Sequence, residues 1–219
     1  MATPYFQQRH DTVPSTQNLA RSSLVDLPVL VLATSQTEGR GRTGSDWQNA
    51  ERALAASLAI HLDSSDRRPF SLMAGVAAIR ATNGTSLKWP NDVLAAELKV
   101  GGILVERNSD VIVVGLGLNL WWPNAPSTMG ALFEDDPGED RHAEIGALWG
   151  AELMRIVDGP VWPIDEYRSA CVTLGADIGW EPDHVGRAVD VAEDGGLIVD
   201  RGGETETVFS GEVRHLRHR

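Results

Sequence analysis

Residues 37–47 read "TEGRGRTGSDW" and contain Gly39-x-Gly41-x-x-Gly44. That spacing matches the glycine fingerprint of dinucleotide-binding folds. In those folds a strand runs almost directly into the first glycine, and a helix opens at the loop so that its N-terminus meets the pyrophosphate. Here the last apolar strand residue is Ala33, and the polar run "TSQTE" intervenes before Gly39. After Gly44, "SDWQN" offers no immediate apolar helical face. The positions between the glycines hold Arg40 and Arg42. Guanidinium groups grip carboxylate and phosphate oxygens in bidentate fashion, and glycines let a loop fold over a ligand. From spacing alone three readings stand: a dinucleotide site, a mobile cationic lid over an anion, and an ordinary surface loop.

The flanking sequence gives an α/β texture. "LPVLVLA", 27–33, is a short apolar run with β-branched residues and reads as a buried strand. "FSLMAGVAAIRAT", 70–82, reads as a helix entered at Pro69 and ended by Asn83-Gly84. "SLKW", "KVGGILVE" and "DVIVVGLGLNL" read as strands, with "RNSD", 107–110, as a hairpin turn between the last two. Residues 123–140 are rich in proline, glycine and acid and read as a long surface loop. "HAEIGALWGAELMRIV", 142–157, and "PIDEYRSACVTL" read as helices. From Leu174 short strand-like pieces alternate with Asp-Gly and Gly-Gly turns, as in a small antiparallel barrel or sandwich. The expected division is 1–173 and 174–219. "ERALAASLAIHL", 51–62, is ambiguous: alanine favours helix, while Leu58, Ile60 and Leu62 alternate as in a strand.

Composition narrows the function classes. The 219 residues carry a formal charge of −12, which argues against a nucleic-acid partner but leaves room for a cationic cleft. No run reaches the roughly 18 apolar residues of a membrane span, and the N-terminus lacks the pattern of a signal peptide. The single cysteine, Cys171, rules out an intrachain disulfide and fits a cytoplasmic location.

Beyond the glycine loop come "KWPNDV" at 88–93, "KVGGIL" at 99–104, "VVGLGLNL" at 113–120 and "SGEVRHLR" at 210–217, with "PSTQNLA" at 14–20 upstream. In this order the segments strongly resemble the biotin protein ligases, over nearly the full chain. The resemblance implies a mixed sheet flanked by helices, related to class II aminoacyl-tRNA synthetases, followed by an SH3-like barrel. It implies ATP and Mg²⁺ as requirements and a two-step reaction. Biotin's carboxylate attacks the α-phosphate of ATP, and the resulting acyl-adenylate acylates a lysine of a biotin carboxyl carrier domain of an acyl-CoA carboxylase. It also turns 51–62 into a strand.

Residue by residue, the resemblance makes Lys99, Arg40 and Arg42 the catalytic cations. Carboxylate and polyphosphate repel each other, so fixed positive charge must offset that repulsion. Ser15, Thr16, Gln17 and Gln36 fall where the family binds the ureido ring, whose carbonyl and two N–H groups suit hydroxyls and amides. Gly39, Gly41, Gly102 and Gly115 let backbone approach biotin, alongside Arg40, Arg42 and Lys99. Trp47, Lys88, Asn91, Asp92, Asn119 and Arg217 join those three cations on ATP, with Asp92 the candidate for Mg²⁺. Trp121 and Trp122 are further candidates to stack on adenine. Ser15 or Thr16 also fits as a helix N-cap, with "NLAR" continuing the helix.

Three departures from the family pattern stand out. Gln17 takes the usual place of asparagine, the loop carries Thr43, Ser45 and Asp46 where further basic residues are usual, and alanines replace glycines in 53–59. With Ser15 already in a site motif, no N-terminal DNA-binding domain is expected, and the chain is expected to be a monomer or weak homodimer. The nearest rival is a lipoate protein ligase, which shares fold and adenylate chemistry. The other is a regulator that binds biotin without transferring it.

Overall fold

The structure is a computed structural model describing residues 3–42, 47–180, 183–209 and 214–216. Its larger sheet has seven strands: β1 (Phe6–Val13), β2 (Val29–Gln36), β3 (Arg52–His61), β4 (Ser86–Lys88), β5 (Asp92–Ala95), β6 (Leu98–Asn108) and β7 (Val111–Trp121). Their spatial order is β1-β2-β3-β7-β6-β5-β4. Only β1 and β2 run parallel; every other neighbouring pair in this sheet is antiparallel. The sheet is therefore mixed, as expected.

The alanine-rich stretch is a strand, and it is the most enclosed one. Every residue of β3 from Ala53 to Ile60 is buried, because both its faces are covered. Leu54, Leu58 and Ile60 point into the main core with α2 (Phe70–Thr82) and α3 (Arg141–Asp158). On the other face Ala59 packs with Ala20 of α1 (Thr16–Ser23), together with Val29, Val31 and Val113. Small side chains on that face let α1 approach the sheet closely. Helical propensity is outweighed here by pairing on both sides and burial on both faces.

α2 ends where Asn83 and Gly84 adopt positive φ angles of 51° and 76°, conformations that terminate a helix. The hairpin between β6 and β7 turns at Ser109, whose φ is 54°. α4 (Ile164–Ala170) leads into a second, five-stranded antiparallel sheet. Its strands are β8 (Asp177–Trp180), β9 (His184–Val191), β10 (Leu197–Asp200), β11 (Thr205–Val208) and β12 (Arg214–His215), ordered β11-β10-β9-β8-β12.

The second sheet is not a loose appendage. Ile178, Trp180, Ala188, Leu197 and Val199 belong to the same apolar cluster as the core of the larger sheet. Trp89 Nε1 donates to Gly195 O at 3.0 Å, and Trp162 Nε1 donates to Glu193 O at 2.8 Å. Each large indole is thereby buried with its one donor satisfied. Trp89 stands at the start of the turn between β4 and β5, so the second sheet fixes that turn from behind.

Candidate active site

One face of the larger sheet carries an open cavity of about 930 Å³, large enough for two small ligands side by side. Its floor follows from strand register. Ser57 of β3 pairs with Gly115 of β7, which pairs with Leu104 of β6; one row along, Ala55 pairs with Gly117 and Gly117 with Gly102. Because side chains alternate across a sheet, these six positions share one face, and five of them, all but Leu104, are glycine, alanine or serine. The missing side chains are the space.

That space is then walled by particular groups. Over Gly115 lies the Gln17 amide: a Cβ at Gly115 would fall 3.0 Å from Gln17 Nε2, which donates to Leu104 O at 3.2 Å. Over Gly102 and Gly117 lies the indole of Trp47; a Cβ at Gly117 would sit 2.6 Å from Trp47 Cζ2. Trp47 is tethered through its backbone N–H to Gly39 O at 3.0 Å.

At one end the cavity is polar and neutral. Ser15 caps α1, and its Oγ accepts from the Asn18 N–H at 3.5 Å, so the N-cap reading and the site reading hold together. Gln36 Oε1 accepts from the Thr16 backbone N–H at 2.8 Å and from Thr16 Oγ1 at 3.0 Å. Thr16 Oγ1 lies 2.8 Å from Ser57 Oγ. With its oxygen engaged, Gln36 presents its N–H₂ group as the free end of a pre-ordered chain of hydroxyls and amides. Ser57 is wholly buried and belongs to this chain. It was not among the residues expected from sequence, although it is the one polar side chain in an otherwise apolar strand interior.

At the other end the cavity is charged. Lys99 Nζ lies 2.6 Å from Asp92 Oδ1. Arg42 Nη1 donates to Asn91 Oδ1 at 2.9 Å, while Asn91 Nδ2 donates to Ile103 O at 3.0 Å, fixing the turn against β6. Lys88 lines the same end. Lys99 and Gly102 both face the cavity although three residues apart, an odd spacing that plain alternation forbids. The β5–β6 register supplies the reason: Leu94 pairs with Lys99 but Val93 with Gly101, so Val100 is an extra, bulged residue. The loop after β7 locks this bulge, since Gly130 N–H donates to Lys99 O at 2.8 Å.

Among the described residues Asp92 is the one carboxylate lining the cavity, and no cluster of three or more potential metal ligands occurs. A single carboxylate in a cavity end lined by Lys88, Arg42 and Lys99 fits Mg²⁺, which binds through one or two carboxylates plus substrate oxygens. It does not fit a dedicated protein cage.

The structure brings Ser15, Thr16, Gln17, Gln36, Arg40, Gly41, Arg42, Trp47, Lys88, Asn91, Asp92, Lys99, Gly102 and Gly115 to this one cavity. Gly39 lines a smaller recess of about 510 Å³ that shares Gln36, Arg40 and Trp47 with it. Asn119 departs from expectation. It is fully buried, its Nδ2 donates to Gly130 O at 3.0 Å, and it holds the 123–140 loop instead of lining the cavity. Trp121 and Trp122 do not line it either. Arg217, and the Thr43–Asp46 stretch that departs from the usual basic residues, lie outside the described residues. The 123–140 loop is more than a surface connection, because Pro126, Thr128 and Met129 close the charged end.

Residues 6–119, which contain nearly all of these side chains, match the biotin/lipoate A/B protein ligase family. Over 86% of its length the chain is 32% identical to the biotin–[acetyl-CoA-carboxylase] ligase of Mycobacterium tuberculosis, of which the match covers 79%. It is 33% identical to the ligase of the same name from Paracoccus denitrificans, over 41% of this chain and 43% of that one. Among solved structures, a biotin protein ligase from Aquifex aeolicus in complex with biotin and ATP superposes with a TM-score of 0.77 at 25% identity, covering 97% of this chain and 99% of that one. Among the described residues no helix is long and apolar enough to cross a membrane. The chain belongs to the biotin/lipoate A/B protein ligase family.

Proposed function

We propose that this chain is an ATP-dependent biotin–protein ligase of the cytoplasm. In the first step a biotin carboxylate oxygen bonds to the α-phosphorus of ATP as the bond to the bridging β-phosphate oxygen breaks, releasing pyrophosphate. In the second, a lysine amine of a biotin carboxyl carrier domain attacks the acyl carbon. The acyl–phosphate oxygen bond breaks, AMP leaves, and the nitrogen loses a proton. The observation that carries this reading is the polarity of one continuous cavity: a neutral hydroxyl–amide end at Thr16, Gln36 and Ser57, and a cationic end at Arg42, Lys88 and Lys99.

The neutral end suits a cyclic urea, whose carbonyl accepts and whose two N–H groups donate. A lipoyl dithiolane offers neither, and the named relatives are biotin ligases, so the lipoate alternative is disfavoured. The cationic end suits the charge that builds up as carboxylate meets phosphate. Lys99, on the bulge at that end, is the group to stabilise that charge, and Asn91 and Arg42 hold the turn beside it. Mg²⁺ carried by the nucleotide supplies further charge neutralisation, and Asp92 is the side chain that would hold it.

The test is ATP–pyrophosphate exchange by the purified protein with Mg²⁺, comparing added biotin with added lipoate. Exchange that depends on biotin is the expected result. Exchange that depends on lipoate would move the chain to the sister activity. Biotin binding by calorimetry without exchange would make it a sensor.

A further inference from the structure

Arg40 and Arg42 leave the same loop for different partners. Arg42 reaches Asn91, at the end of the cavity that holds Lys99 and Asp92. Arg40 Nη2 instead donates to Asn18 Oδ1 of α1 at 2.8 Å and lies 3.3 Å from Glu106 Oε1. The second oxygen of Glu106 is also taken, by Arg21 Nη2 of α1 at 2.9 Å. Glu106 is three-quarters buried between these two guanidinium groups. It sits on β6, the strand that carries Lys99 and Gly102 into the cavity, yet it does not line the cavity itself.

We propose that Glu106 is a positioning residue for the glycine loop. With Asn18 it holds Arg40, and through Arg40 the backbone at Gly39–Gly41, over the neutral end of the cavity. There the loop retains the acyl-adenylate until the acceptor lysine arrives. The inference rests on the ligase reading above and extends it: the loop's two arginines divide the work. Arg42 serves the nucleotide end, and Arg40 anchors the loop to α1 and β6. Glu106 makes that anchor charged, whereas Asn18 alone would leave a single neutral acceptor. Such an anchor is screened by salt, so retention weakens as ionic strength rises.

The test uses the full chain loaded with labelled biotin and ATP, and follows escape of the labelled adenylate after a chase with unlabelled biotin. Glu106→Gln keeps the shape and removes the charge; Glu106→Asp keeps the charge and shortens the reach. The expected result is escape about fivefold faster for E106Q, the equivalent of about 1 kcal/mol for a partly exposed ion pair, with E106D between it and wild type. Pyrophosphate exchange at saturating substrates should stay within about twofold, because the charge stabilisers at the other end are untouched. A double-mutant cycle locates the effect. If Glu106 acts through Arg40, the double variant of E106Q with Arg40→Gln loses adenylate no faster than the leakier single variant. Unchanged escape from E106Q, with the variant's thermal midpoint showing it folded, would overturn the proposal. So would multiplying effects in the double variant, or an equal leak from Arg21→Gln, which would reduce Glu106 to a fastener of α1. A wild-type protein that forms no adenylate from biotin would sink the ligase reading and this inference with it.

Discussion

Lys99 Nζ and Asp92 Oδ1 lie 2.6 Å apart at the charged end of the cavity, one on β6 and the other at the start of β5. The bulge at Val100 turns Lys99 toward that carboxylate and holds it on the same face as Gly102. Each charge is kept in place by the other. Lys99→Ala should therefore lower the exchange rate by about 10²–10³-fold, the usual effect of losing one preorganised charge stabiliser. Biotin binding measured without ATP should weaken far less. Near-wild-type exchange by the variant would remove Lys99 from the chemistry.

Two glycines one strand apart separate packing from ligand binding. A Cβ at Gly101 would meet Leu118 Cδ2 at 2.5 Å and the Gly117 carbonyl oxygen at 2.6 Å. The second contact is backbone in a paired strand, so Gly101→Ala should destabilise the fold by about 1–3 kcal/mol, read as a lower denaturant midpoint. A Cβ at Gly117 meets the Trp47 ring instead. Trp47 sits beside a loop and can give way, so Gly117→Ala should leave the midpoint nearly unchanged. Displacing the ring should raise KM for ATP about tenfold, a loss of roughly 1.4 kcal/mol of binding. Equal effects of the two substitutions on stability would show that Trp47 is packed as firmly as the sheet.

The hydroxyl chain makes a different prediction. Thr16 Oγ1 stands between Gln36 Oε1 and Ser57 Oγ, at 3.0 and 2.8 Å. Thr16→Val preserves the shape and strips both partners of it, leaving the buried Ser57 hydroxyl unpaired. An orphaned buried group costs about 1–3 kcal/mol. Much of that should appear as a weakened neutral end, with KM for biotin raised about tenfold and kcat for exchange changed by less than about twofold. A fall in kcat with KM unchanged would place Thr16 in the chemistry instead of the binding.

What the sequence reveals of this molecule depends on how local the cause is. α3 is legible because it carries an apolar face long enough to show its period, α2 because a long apolar run is bracketed by Pro69 and by Asn83-Gly84, and β2 because it is a buried apolar run. β1, "FQQRHDTV", shows no such pattern. It is an edge strand and most of its side chains remain at least partly exposed, so nothing selects apolar residues there. β5 is only four residues long and disappears into the turn before it. Within the site, the residues carried by motifs converge on one cavity, whereas Ser57 and Met129 carry no motif of their own. Ser57 enters through pairing with Gly115, and Met129 through a bridge to Lys99. Asn119 shows the converse. It alternates with Gly115 and Gly117 along β7, but the 123–140 loop folds over that end of the strand and claims its amide. Register, bulges and loop closure are long-range facts, and a local pattern does not encode them.

The C-terminal strand gives the last prediction, and its sign follows from one imidazole. His215 Nε2 lies 3.3 Å from Thr173 Oγ1, and that same oxygen accepts from the Trp89 backbone N–H at 3.0 Å. β12 thus braces the turn that carries Asn91 and Asp92. Burial, and after it the charge of Lys88, hold the His215 imidazole below its ordinary value of 6.5. Between that depressed value and the unfolded one, the unfolded chain binds a proton that the folded chain does not. Stability therefore rises with pH through this window and is lost on acidification. Above the window His215 is neutral in both states and contributes no slope. His215→Gln replaces the ring with a group that stays neutral, so its thermal midpoint should fall less than the wild type's between about pH 7 and pH 5. Parallel midpoint curves for the two proteins would show that acid loosens the fold at another group, and that His215 is only a spacer against Thr173.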